Sequence, residues 1–208
     1  MSGVRVWLVR HGALPQVAPR RFVGQSDIAL SDHGREQAAG LASVLAGIPF
    51  ESAVSSDLAR CLETARIILA GRDVPLRTEA GLREIRLGEW EGLTVAEVRK
   101  RFPGHYEARG EDIAGFRPSG GESFHDVQKR AVAAFEAVVR TSRGEVLVVA
   151  HGGVNRCLLC HLLGMPLGHL FRLGQEYACL NLLDFSGDIP TVAGLNIRSG
   201  HLFHPPRP

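Results

Sequence analysis

Two short apolar runs, each closed by a histidine and a glycine, constrain this chain more than any other feature. The first is Val4-Arg5-Val6-Trp7-Leu8-Val9, followed by Arg10-His11-Gly12. The second is Glu145-Val146-Leu147-Val148-Val149-Ala150, followed by His151-Gly152-Gly153. Runs this short, rich in β-branched residues and bounded by charge, read as strands buried on both faces, the kind that parallel sheets use.

Helical periods separate them. Ser31 reads as an N-cap, with Ala38, Leu41, Ala42 and Leu45 on one face and Gly47 as the stop. Ser56 or Asp57 opens a second helix with Leu58, Cys61, Leu62, Ala65, Ile68 and Leu69 inward, ended by Gly71. Ser123 opens a third, whose stripe is Phe124, Val127, Ala131, Phe135 and Val138. A helix over 153–163 is apolar nearly all round and is predicted to be deeply buried. Further strands are predicted at 52–55, 74–78, 177–185 and 191–197. Strands alternating with helices imply an α/β fold: a three-layer sandwich with a mostly parallel central sheet and helices on both faces. One domain covers 1–200. The stretch 81–121 is irregular, with one helix near 94–102, and holds a small cap segment at about 88–121. The tail 201–208, with three prolines, reads as loose.

At 208 residues and 45% apolar, the chain can bury a core. Its apolar stretches are too short and too interrupted to span a bilayer. The N-terminus runs into a strand rather than a signal peptide, so the expected compartment is the cytoplasm. A net charge of +2, with no basic run of five, makes no case for a nucleic-acid partner. Of 24 cations, only Lys100 and Lys129 are lysine. That skew reads as base composition, and arginines around an anion must be argued one position at a time.

In an open α/β sheet the carboxyl ends of the strands form the ligand crevice. His11 and His151 both stand there, and the glycine after each lets backbone come close to a ligand. The long loop 10–31, just past a strand, is of the kind that carries function. Arg60 falls in the first turn of the second helix, an end that attracts anions. Its bland alternative is an ion pair with Asp57. Glu84, alone, reads as solvated surface. Cys157-Leu158-Leu159-Cys160-His161 fits a haem-attachment pattern, but its helix reads as buried, and Cys61 and Cys179 are too isolated to complete a zinc site. The four cysteines read as buried apolar residues.

Taken in order, these residues carry a resemblance. Arg10-His11-Gly12, Arg60 in Ser-Asp-Leu-x-Arg-x-x-x-Thr-Ala, Glu84 before Gly88-Glu89-Trp90-Glu91-Gly92, and His151-Gly152-Gly153 resemble the histidine phosphatase superfamily. The likeness includes Arg21-x-x-Gly24-x-x-Asp27 and Gly120-Gly121-Glu122-Ser123, and is greater to the branch of phosphoglycerate mutases and α-ribazole phosphatases. It implies that His11 is the nucleophile and forms a phosphohistidine, with its other nitrogen keeping a proton on a backbone carbonyl. Arg10, Arg60 and His151 would hold the phosphate, His151 also stabilising the transition state, and Glu84 would be the general acid and base.

No metal or cofactor is implied. The partners would be a small phosphate ester and the inorganic phosphate released, with a homodimer left open. Two departures stand out: Val17 and Val23 take places where the family often has an asparagine and a glutamine. Arg21, Val17, Val23, Gly24 and Gly152 are the substrate-pocket candidates, and the wall is expected to be apolar. The implied function is a metal-independent phosphomonoesterase, with α-ribazole 5′-phosphate the candidate substrate. The alternatives are a mutase-type isomerase, a broad phosphatase of sugar or nucleotide phosphates, and a non-catalytic phosphate-binding module.

Overall fold

The computed structural model describes residues 3–198, so the tail 201–208 lies outside the described residues. The first run forms β1 (Val4–Arg10) and the second β4 (Gly144–Ala150). With β2 (Phe50–Ser55), β3 (Leu76–Thr78), β5 (Leu180–Asp184) and β6 (Thr191–Ile197) they make one sheet, ordered β3-β2-β4-β1-β5-β6. β1, β2, β3 and β4 run parallel, and β5 is antiparallel to both its neighbours. The predicted α/β sandwich with a mostly parallel sheet is the fold observed.

Strand alternation builds the two outer layers. Val6 and Leu8 of β1, with Val146 and Val148 of β4, face a core shared with α5 (Phe124–Thr141) and α6 (Gly152–Leu162). Trp7 and Val9, with Leu147 and Val149, face the other way onto α1 (Asp32–Val44) and α2 (Ala59–Ile68). The stripe predicted for α5 is its buried set. Ser123 and Asp126 close a capping box at its start, a feature worth about 1 kcal/mol. In α6, eight of the eleven residues are buried, among them Cys157 and Cys160. Among the described residues no helix is long and apolar enough to cross a membrane.

The cap segment differs from its prediction. It holds α3 (Val95–Arg101), started by a Thr94–Glu97 capping box, and also α4 (His105–Glu111), which was not foreseen. None of the seven residues of α4 is buried, so it has no apolar stripe to betray it, and Pro103-Gly104 reads as a breaker. The fully buried Trp90 anchors the cap, its ring 5.3 Å from Phe22 and 5.4 Å from Phe116. Phe22 also exchanges backbone hydrogen bonds with Gly92 and Leu93. The loop after β1 is thereby laced to the cap.

Candidate active site

β1 and β4 are adjacent and in register, with Arg10 opposite Ala150, so their next residues emerge side by side. The rings of His11 and His151 lie 5.2 Å apart at 64°, and both are buried. His11 Nδ1 is 2.8 Å from Gly12 O. A carbonyl only accepts, so Nδ1 holds the proton and Nε2 is left with a lone pair. Burial, reinforced by the charges of Arg10 and Arg60, keeps the His11 pKa well below 6.5. The imidazole is therefore neutral.

His151 has the opposite assignment. Arg60 Nε donates to its Nδ1 at 3.2 Å, and a guanidinium has nothing to accept with. The proton then sits on Nε2, which is 2.9 Å from Ser56 Oγ. Burial, then His11 and Arg60, lowers this pKa too.

The arginines are held by carbonyls, not by carboxylates. Arg60, 1% exposed, donates to Ser26 O and Gly24 O, each at 2.8 Å. The Asp57 ion pair considered for it is not made: Asp57 binds Arg83 through two bonds of 2.7 and 2.6 Å. Nor does Ser56 or Asp57 cap α2, whose N-cap is Leu58 with no side-chain bond. Arg10 donates to Gln175 O at 2.5 Å, and its buried Nε has no hydrogen-bond partner. Its guanidinium lies 3.8 Å above the Tyr177 ring. Two guanidiniums that make no ion pair among the described residues, at the carboxyl end of the sheet, create a positive field suited to a dianion. Glu84 accepts from Ile85 N at 2.9 Å and Gly153 N at 3.1 Å, which places its carboxylate against the first turn of α6.

The pocket candidates fare unevenly. Arg21 is not brought into this cluster; its guanidinium binds Gly92 O at 2.7 Å and Glu97 at 3.0 Å, tying loop to cap. Val17 is 60% exposed on the loop, and Val23 is half-buried. Gly24 and Gly152 lie against the arginines of this cluster. The Gly24 carbonyl holds Arg60, and at its φ of +53° a side chain would also strike Glu91. A Cβ on Gly152 would stand 3.1 Å from Arg10 Nε and 3.2 Å from Arg156 Nη1.

The model of the histidine phosphatase superfamily (branch 1) matches residues 6–198. The chain belongs to this superfamily. It is 39% identical over 178 residues to the glucosyl-3-phosphoglycerate phosphatase of Mycolicibacterium vanbaalenii, covering 82% of this chain and 79% of that one. It is 30% identical to the adenosylcobalamin/alpha-ribazole phosphatase of Escherichia coli over 94% of this chain and 97% of the relative. The crystal structure of the alpha-ribazole phosphatase from Shigella flexneri superposes with a TM-score of 0.86, at 27% identity, over 96% of this chain and all of that one. This histidine phosphatase is accordingly a hydrolase of the phosphatase class.

Sequence reasoning missed several neighbours of the histidines. Tyr177 packs against His11 with ring centroids 5.6 Å apart, from the turn before β5 rather than from that strand. Gln175, which holds Arg10, is itself held by Asn155 and Asn181. Asn155 has one signal in the sequence, being a polar residue on the mostly apolar α6, which it shares with Arg156 and His161. Cys157 and Cys160 are core residues, as read, and burial raises both thiol pKa values.

Proposed function

We propose that this histidine phosphatase is a metal-independent phosphomonoesterase working through a phosphohistidine at His11. One observation carries the reading: a neutral His11 with its Nδ1 bonded to a carbonyl and its Nε2 left as the lone pair, beside two guanidiniums that make no ion pair among the described residues. Nε2 attacks phosphorus in line, and the bond to the ester oxygen breaks as Glu84 delivers a proton to it. Water then attacks the phosphohistidine, Glu84 takes its proton, and inorganic phosphate leaves. Arg10, Arg60 and His151 surround the equatorial oxygens, where charge stabilisation and positioning do most of the catalysis. Phosphate release without a bisphosphate primer separates this activity from that of an isomerase. Retention of a phosphate label by acid-sensitive linkage to wild type, but not to His11→Ala, tests the intermediate.

For the substrate, the aromatic surfaces favour a flat leaving group, α-ribazole 5′-phosphate being the candidate. Tyr177 leans on His11, and the 55% exposed Phe171 stands edge-on to Phe124. Val17 and Val23 add no hydrogen-bonding side chain to the loop. A second reading, glucosyl-3-phosphoglycerate, is favoured by Arg156. This partly buried guanidinium lies over Phe171 and beside Gly152, with no carboxylate in ion-pair reach among the described residues. A carboxylate on the leaving group would give it a partner. Comparing kcat/KM for the two esters decides. A preference for the glucosylated ester that vanishes in Arg156→Met selects the second reading.

A further inference from the structure

Glu84 lies in a segment with no helix or strand from 83 to 87, so no regular ladder fixes its main chain. Side chains do so instead: Gln25 Nε2, from the loop after β1, donates to Glu84 O at 2.9 Å, and Arg130 of α5 holds the whole segment. Arg130 uses all five of its N–H groups. Nη1 donates to Gly81 O at 2.8 Å and to Arg83 O at 2.7 Å, and Nη2 donates to Glu84 O at 3.0 Å. The remaining two bonds grip Glu122, Nε to Oε1 at 2.8 Å and Nη2 to Oε2 at 3.0 Å. Glu122 in turn accepts from Arg86 N at 2.9 Å, while its own N–H donates to Arg86 O at 2.8 Å. The clamp therefore pins residues 81, 83, 84 and 86 to the start of α5. Gly153 of α6, which packs on α5, meanwhile holds the Glu84 carboxylate. Main chain and carboxylate of Glu84 are both referenced to the same helix pair.

We propose that Arg130, with Glu122, is a positioning residue that sets where Glu84 delivers and collects its proton. The inference rests on the reading of Glu84 as general acid and base given above. A fork of five donors in one plane is what this arrangement needs. Lysine, with three donors at one point, cannot reproduce it. Proton transfer demands hydrogen-bond reach at the ester oxygen, so a displaced loop forfeits part of the catalysis while phosphate binding at the arginines persists.

The test is leaving-group dependence. Single-turnover leaving-group release is measured for aryl phosphates of graded acidity and for an alkyl phosphate, in wild type, Glu84→Gln, Arg130→Met, Arg130→Lys and Glu122→Gln. A poor leaving group needs the proton and a nitrophenolate does not. We expect Arg130→Met to lose about 10- to 100-fold on the alkyl ester, part of the usual general-acid contribution, and under about threefold on the nitrophenyl ester. Its slope against leaving-group acidity should steepen toward that of Glu84→Gln, with Arg130→Lys and Glu122→Gln in between. Glu122→Gln, which keeps an acceptor for Arg130, supplies the measurement if Arg130→Met does not fold. Equal losses across the series, or none, would show that the clamp is structural only and overturn the proposal. A Glu84→Gln slope no steeper than that of wild type would remove Glu84 as the proton donor, and the proposal with it; a steep Glu84→Gln slope beside wild-type slopes in the Arg130 and Glu122 variants would overturn the proposal and leave the Glu84 reading standing.

Discussion

Replacing Gly34 by alanine should cripple the enzyme from a helix that carries no catalytic group. Gly34 lies in the first turn of α1, where alanine is ordinarily better than glycine by about 1 kcal/mol. Here the sign is set by contact. A Cβ at Gly34 would stand 2.1 Å from Ala13 O and 2.8 Å from Ala13 N, where ordinary contact begins near 3.4 Å. Ala13 cannot yield freely, because its carbonyl also accepts from Ser31 and its N–H donates to Gln37. Overpacking of this kind costs about 1–3 kcal/mol, so the net destabilisation is about 0–2 kcal/mol after the helix gain. In a chain of this size that lowers Tm by up to about 8 °C. The larger effect is on rate. Gly12, next to Ala13, supplies the carbonyl that fixes the His11 proton, and its N–H is bonded to Thr64. A shift of about 1 Å in a positioning segment can cost about 10²-fold. Thermal melting and steady-state kinetics on one phosphate ester read both numbers. A Gly34→Ala enzyme within threefold of wild-type kcat/KM would refute the claim that this backbone contact positions the nucleophile.

Three further outcomes are expected. His11→Ala should abolish turnover, whereas His151→Ala should keep a trace and still phosphorylate slowly, with a loss of about 10²–10³-fold; equal residual rates would contradict this division of labour. Acid should unfold the protein partly through these two rings. Both are held below their ordinary pKa of 6.5 when folded, so below pH 6.5 the unfolded chain binds protons that the folded one does not, and stability falls as pH falls. Between pH 7.5 and 5.5, wild type should lose up to about 2.7 kcal/mol more than a His11→Asn, His151→Asn double variant in urea unfolding, and an equal loss would count against neutral rings. Chelators should leave the rate unchanged while vanadate inhibits, by imitating five-coordinate phosphorus against His11; activity lost to a chelator and restored by Mg²⁺ would remove the arginine-only account.

Much of the site was legible because its signals are local. A buried strand ending in Arg-His-Gly places His11 at the crevice whatever surrounds it, and a second such strand places His151 likewise. The α5 stripe was readable for the same reason, since a 3.6-residue period needs only its own helix. What the chain alone could not show was pairing. Asp57 and Arg60 are three residues apart and suited to an ion pair, yet Asp57 turns to Arg83 and Arg60 to His151. The protonated nitrogen of each imidazole likewise depends on partners, Gly12 O beside His11 but Arg60 and Ser56 from distant elements around His151. Local sequence thus determined which residues reach the end of the sheet, because strand and helix periods are local properties. Tertiary structure alone decided the proton position on His151, the arginines left without an ion pair and the clamp on Glu84, because hydrogen-bond partners are chosen by proximity in space, and Arg130 and Glu84 meet only after the segment 80–86 has packed on α5.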